Sequence, residues 1–211
     1  MIKIYDYKGF PNPTRIRIAL AEKNASDKVE FITVDVPKGE HRKPEFLRKN
    51  PGGYVPVLEV EDGTMISECT AITEYIDKYF DGPSLSGLTA LERGKIHMMQ
   101  RRAEANLLDA VATYFHHATP GLGPELETYQ NREWGEKQRE RAVLGMRSLD
   151  ELLGKSAYVA GDHFSMADIT VFAGLLFSDF AKISIPAACK NLIAWRRTIE
   201  RRPSVVSTLA A

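Results

Sequence analysis

Apolar residues dominate 2–7, IKIYDY, with single polar positions at Lys3 and Asp6, and the stretch reads as a strand. Over 13–24 the period is that of a helix, with Ile16, Ala19, Leu20 and Lys23 at helical spacing. β-Branched and aromatic residues crowd 29–36, a second strand. Residues 43–50 read as a short helix stopped by Pro51, and 55–67 as a hairpin turning at Asp62-Gly63. Helical spacing returns over 68–80. The order β-α-β-α-β-β-α predicts a small α/β sandwich.

The pattern then changes. Residues 81–89, DGPSLSGLT, hold Gly, Pro and Ser without apolar periodicity and read as a linker. Beyond it the spacing predicts helices over 90–117, 125–154, 165–181 and 188–201, the first two separated by Pro120, Gly121, Gly123 and Pro124. The expected organisation is an α/β domain over 1–81, a linker over 82–89 and an all-helical domain over 90–211. No internal repeat interrupts it.

Composition narrows the function. Lys plus Arg and Asp plus Glu both number 28 in the 211 residues, so no net charge draws the chain toward nucleic acid or an anionic membrane. The apolar runs are too short to span a bilayer, and the start, Met1-Ile2-Lys3, has no signal-peptide pattern. Two cysteines, Cys69 and Cys189, make neither a disulfide framework nor a metal-ligand spacing, so no metal is expected. A reduced, soluble, cytoplasmic protein is the expectation.

Several stretches carry chemistry. In KGFPNPTR, Asn12 is placed to cap a helix and Pro13 to open it, which would leave the amides of Thr14 and Arg15 at an electropositive helix start. Pro56 stands where a strand begins. A cis Val55–Pro56 bond would free the Val55 backbone to pair with an extended peptide, whereas a trans one would make Pro56 only the start of an edge strand. SECTAI (67–72) is another helix start. A ligand carboxylate could sit on its amides with Glu68 facing a ligand ammonium; equally, Ser67 could cap the helix and Glu68 complement its dipole. Cys69 could act there as a thiolate or pack as a small buried side chain. His41, Arg42 and Lys43 cluster before the short helix, either as a carboxylate site or as a solvated face. In YVAGDHFSMADI, Ser165 and Asp168 form a capping box, a structural feature.

Taken in order, these stretches resemble the cytosolic glutathione S-transferases. YVPVLE is similar to that family's cis-proline hairpin, SECTAITEYI to its glutamyl-binding turn, GEHRKPEFL to its glycine-carboxylate loop, and YVAGDHFSMADI and RRPSV to segments of its second domain. The resemblance implies a thioredoxin-like first domain, a helical-bundle second domain and a homodimer. Glutathione enters as co-substrate, with no further cofactor. It also implies that Glu68, Cys69 and Asn12 lie at the γ-glutamyl and thiol ends, that Tyr54, Val55 and Pro56 hold the cysteinyl unit, and that His41 and Arg42 meet the glycine carboxylate.

The hydroxyl or thiol that most members place beside the first helix is missing from Gly9-Phe10-Pro11-Asn12. Tyr7 and Thr14 flank the gap. Lowering a thiol pKa from ~8.5 by about 1.5 units takes about 2 kcal/mol, within reach of a helix start plus one donor or one held water. LLDAVATYFHHATPGLGPE resembles an atypical fungal-type group in which a serine and a histidine of this helix hold such a water; the histidine matches His116, while Ala112 stands at the serine position beside Thr113. His116 and His117 at a helix C-terminus would otherwise complement its dipole. Tyr7, Phe10, Tyr114 and Phe115 are candidates to line an apolar pocket. The expected activity is conjugation of glutathione to small hydrophobic electrophiles. Disulfide reduction or peroxidase chemistry through a thiol, or ligand binding without catalysis, are the alternatives.

Overall fold

The computed structural model describes residues 1–210, which fold as two compact units. One comprises Met1–Leu85 together with the stretch from Pro203; the other is Ser86–Arg202. The helical domain therefore does not run on to the chain's last residues, as 90–211 had it.

The first unit holds β1 (Ile2–Asp6), α1 (Pro11–Glu22), β2 (Val29–Thr33), a 3-10 turn (Glu40–Arg42), α2 (Pro44–Leu47), β3 (Val57–Glu59), β4 (Met65–Ile66), α3 (Cys69–Tyr79) and, from the chain's end, α9 (Pro203–Ala210). The sheet order is β2-β1-β3-β4. β1 and β2 are parallel, Ile2 facing Val29, whereas β3 runs antiparallel to both β1 and β4. Alternation sends Tyr5 and Val57 to one face, where they pack with Val34 and Phe46. Ile4 and Leu58 are fully buried on the other, as are Ile16 and Leu20 of α1 and Ile72 and Ile76 of α3.

Two ion pairs fix α1. Midway along it, Arg17 grips the buried Asp6 of β1 through two bonds of 2.7 and 3.0 Å, its guanidinium 3.9 Å from the Phe31 ring centre. Just past its end, Lys23 lies 2.9 Å from Asp77 of α3, with both side chains almost wholly buried. Lys23 also donates to the Pro83 carbonyl at 3.0 Å, while Asp77 accepts the Leu85 N–H at 2.8 Å. The segment read as a linker is thus tied down at its start.

The second unit holds α4 (Ala90–Ala103), a π-helical turn (Glu104–Leu108), α5 (Asp109–Ala118), α6 (Arg132–Leu153), α7 (Met166–Phe180) and α8 (Lys190–Glu200). Thr89 and Glu92 close a capping box at the start of α4. The π turn fits because α6 carries Gly145, where a Cβ would collide with the Asn106 carbonyl. α7 is buried nearly all round, and Asp168 accepts the N–H of Val159 at 2.9 Å and the N–H and hydroxyl of Ser165 at 3.0 Å. Full burial nevertheless pushes its carboxyl up to about 6.

Candidate functional site

α1 begins two residues earlier than its sequence suggests. Phe10, in extended conformation, is the N-cap, and Asn12 makes no cap; its Oδ1 accepts from Arg15 Nη1 at 3.0 Å. Both Pro11 and Pro13 lie in the first turn, where their fixed φ suits the helix. The consequence corrects the expected anion site. Thr14 N–H is already bonded to the Phe10 carbonyl at 2.9 Å, and of the first three helical residues only Asn12 has an amide to offer. Thr14 is 4% exposed and its hydroxyl donates to the same carbonyl at 2.8 Å, so it has no proton to give elsewhere. Tyr7 is half-buried, its ring edge-on to Phe10 at 4.8 Å.

The Val55–Pro56 bond is cis, and no hydrogen bond of the turns and loops among the described residues engages Val55. The turn before it is held by Asn50, a buried side chain that accepts the Gly52 N–H at 3.1 Å and donates to the Tyr54 carbonyl at 2.9 Å. Tyr54 itself is 70% exposed. Gly53 packs on the His41 backbone, which brings this turn against the 3-10 turn. His41 is 6% exposed and its Nδ1 is buried without a partner. Burial, aided by the neighbouring Arg42 charge, lowers its pKa, so the ring stays neutral at pH 7. A buried, unpartnered ring nitrogen is a place for a ligand acceptor or donor. Arg42 is exposed on the same turn.

Glu68, not Ser67, precedes α3 as its N-cap, and its side chain bonds to no amide there. The backbone of Glu68 adopts φ 68°, ψ 121°, a conformation costly for a residue with a Cβ, and the carboxylate is left exposed. Cys69 is buried at the first helical position, its Sγ 3.5 Å from the Asn12 carbonyl. The structure therefore brings the starts of α1 and α3 together, and the turns at His41 and Gly53.

In the second unit, α5 ends at the two histidines. His116 Nδ1 lies 2.6 Å from Glu127 Oε1, and His117 Nδ1 accepts the Asn131 N–H at 3.0 Å. The expected helix over 125–154 is shortened to start at Arg132 because residues 119–131 form a loop clasped by these rings. Thr113 donates to its own helix at Asp109 O, 2.8 Å. Phe115 is 9% exposed, enclosed by Phe177 and Phe180 at 5.4 and 5.6 Å, so it serves this unit's own core.

The pattern of the glutathione S-transferase N-terminal domain matches residues 11–78 and that of the C-terminal domain residues 102–203. Glutathione S-transferase 2 of Saccharomyces cerevisiae is 58% identical over 206 residues, 98% of this chain and 88% of that protein. The chain belongs to the glutathione S-transferase family. The crystal structure of Gtt2 from Saccharomyces cerevisiae has a TM-score of 0.96 at 57% identity, over 98% of this chain and 99% of that one. A glutathione S-transferase domain-containing protein from Marinobacter aquaeolei gives 0.95 at 57% identity, covering 96% and 99%.

The expected fold class is borne out: a thioredoxin-like unit with a four-stranded sheet and a helical unit, as in other glutathione S-transferases. Asn50 is the residue of this transferase's first unit that sequence reading passed over. Its signal is the Asn-Pro-Gly-Gly run, in which an Asn side chain commonly mimics a backbone turn. Among the described residues no cluster of three or more His, Cys, Asp or Glu could hold a metal, and no helix is long and apolar enough to cross a membrane.

Proposed function

We propose that this chain transfers the glutathione thiolate to small hydrophobic electrophiles. The supporting observation is relatedness across both domains to Glutathione S-transferase 2, with the thioredoxin-like unit carrying the cis-proline turn and the neighbouring starts of α1 and α3. In this reading the γ-glutamyl end meets Glu68 and the start of α3, the cysteinyl unit pairs with the Val55 backbone between Tyr54 and Pro56, and the glycine carboxylate fills the vacancy at His41 Nδ1 beside Arg42. The thiol is placed at the start of α1, where the Asn12 amide and the helix dipole favour the anion. A side-chain donor, directly or through a held water, would add to these two. His116 is our choice and Tyr7 the second; Thr14 is withdrawn because its hydroxyl is already used.

Turnover of a chlorodinitrobenzene with glutathione tests the activity; glutathione binding without turnover would leave a binder, not a transferase. The thiol-exchange alternative is weakened by the burial of Cys69, whose Sγ is engaged with a backbone carbonyl. We further propose a cytosolic homodimer associating through the stretch 97–110, whose Met98 is 45% exposed. A monomeric mass by sedimentation at micromolar concentration would refute that assembly.

A further inference from the structure

The stretch Asn50-Pro51-Gly52-Gly53 turns the chain between α2 and the cis bond at Val55–Pro56. The Gly53 N–H closes this turn on the Asn50 carbonyl at 2.9 Å, with Pro51 at the position its fixed φ suits. The Asn50 N–H is in turn bonded to the Phe46 carbonyl of α2 at 3.0 Å. Gly53 has φ +64°, and a Cβ there would press on the His41 carbonyl at 3.3 Å. The Asn50 side chain is buried against the turn, where its Oδ1 accepts the Gly52 N–H at 3.1 Å and its Nδ2 donates to the Tyr54 carbonyl at 2.9 Å.

The second of those side-chain bonds fixes more than a carbonyl. Tyr54 C=O and Val55 N–H belong to one planar peptide unit, and it is trans, because among the described residues only Val55–Pro56 is cis. In a trans unit the two groups point in opposite directions. With the carbonyl drawn inward by Asn50, the Val55 N–H is directed the other way, and no hydrogen bond of the turns and loops among the described residues takes it up. Rotation of this peptide plane would turn the Val55 donor inward and the Tyr54 acceptor outward. Pro56 has no N–H to replace it.

We infer that Asn50 is a positioning residue for glutathione: by holding the Tyr54 carbonyl it aims the Val55 N–H at the carbonyl of the cysteinyl unit. This rests on the reading that the cysteinyl unit pairs with the Val55 backbone. A donor fixed before the ligand arrives needs no ordering on binding, whereas a peptide plane free to rotate must lose that freedom. Asn50 takes no part in the transfer step, so its effect falls on the binding of glutathione and not on turnover of the bound complex. The coupling is reciprocal. A ligand that takes the Val55 N–H outward also strengthens the bond from Asn50 to Tyr54.

Asn50→Ser and, at pH 8, Asn50→Asp both keep an acceptor for the Gly52 N–H. The serine hydroxyl is too short to reach the Tyr54 carbonyl, and the carboxylate has no proton to donate to it. Each should raise Kd and KM for glutathione about tenfold, while kcat for a chlorodinitrobenzene at saturating glutathione stays within about twofold. Amide exchange by NMR reads the geometry. In the wild type, saturating glutathione should slow exchange of the Val55 N–H and of the Asn50 side-chain amide; in both variants the slowing at Val55 should shrink. A Val55 N–H slowed by glutathione in the wild type, beside an unchanged Kd in both variants, overturns this inference alone. A fall in kcat with Kd unchanged also overturns it. So does an Asn50 side-chain amide in the wild type whose exchange is indifferent to glutathione, a measurement that holds even where a substitution prevents folding. A wild-type Val55 N–H that exchanges equally fast with and without glutathione overturns the reading of the cysteinyl unit itself.

Discussion

The thiol of Cys69 sits 3.5 Å from the carbonyl oxygen of Asn12, so the first turn of α3 is stitched to the first turn of α1. A hydroxyl can make the same bond. Cys69→Ser should therefore leave conjugation within about twofold and the melting temperature nearly unchanged. Loss of most activity on this change would point instead to a reacting thiol at Cys69.

Glu68 combines an exposed carboxylate with a positive φ. Glu68→Gly should stabilise the ligand-free protein by about 0.5–1 kcal/mol in urea unfolding, by removing the clashing Cβ. Glu68→Ala keeps the backbone cost. Both should weaken glutathione about tenfold or more if the carboxylate binds an ammonium. The glutathione-induced rise in melting temperature should shrink accordingly. An undiminished rise in both variants would remove Glu68 from the site.

His41 is neutral because it is buried beside Arg42. A glycine carboxylate at its ring would favour the protonated form, so the pKa should rise on binding. Between about pH 7 and pH 6, glutathione should then bind with proton uptake and more tightly as pH falls. Calorimetry in buffers of different ionisation enthalpy would read this. His41→Gln should abolish the uptake, and equal proton counts in both proteins would place the carboxylate elsewhere.

The Asp168 carboxyl is raised to about 6 by burial, against a usual value of 3.8. Below about pH 4 both folded and unfolded states hold its proton. Between about 4 and 6 the folded state binds the proton and the unfolded state does not, so stability drops as pH rises through that window. Relative to Asp168→Asn, which does not titrate, the wild type should lose about 2–3 kcal/mol from pH 4 to pH 7 in urea unfolding. A pH-independent difference would contradict the raised value. Asp168→Ala, which strands the Val159 and Ser165 donors, should cost about 2–4 kcal/mol at any of these pH values.

Lys23 and Asp77 form a buried pair that also fixes the carbonyl of Pro83 and the amide of Leu85. Removing one partner leaves a buried charge. Lys23→Met or Asp77→Asn should each destabilise by about 3–5 kcal/mol, and the double change by less than the sum. Additive losses by urea unfolding would show the two groups to be energetically independent.

The α/β order of the first unit and the capping box at Ser165 were legible because they are local: periodicity, turn residues and a three-residue spacing carry them. What was not legible depends on distant partners. Asn-Pro at 12–13 looks like a cap, but a helix also admits Pro at its first position, and Pro11 takes it. Residues 125–131 have helical composition, yet they are tied to the preceding helix: the Glu127 carboxylate pairs with the His116 ring, the Gln130 side chain donates to the His116 carbonyl, and the Asn131 N–H donates to the His117 ring. The π turn at Glu104–Leu108 depends on a glycine at 145, outside any local window. The site residues were legible as types of chemistry. Which of their atoms were already spent, as with the Thr14 hydroxyl, was visible only in three dimensions.

α9, the helix from Pro203, packs on α1, and the hydroxyl of Ser204 donates to Glu22. The sheet-bearing unit is thus interrupted in sequence, with residues 86–202 inserted into it. On the ribosome, the helical insert can be complete before α1 meets its last neighbour. Chain order therefore sets a timetable in which the scaffold behind the proposed thiol site is among the last things to close.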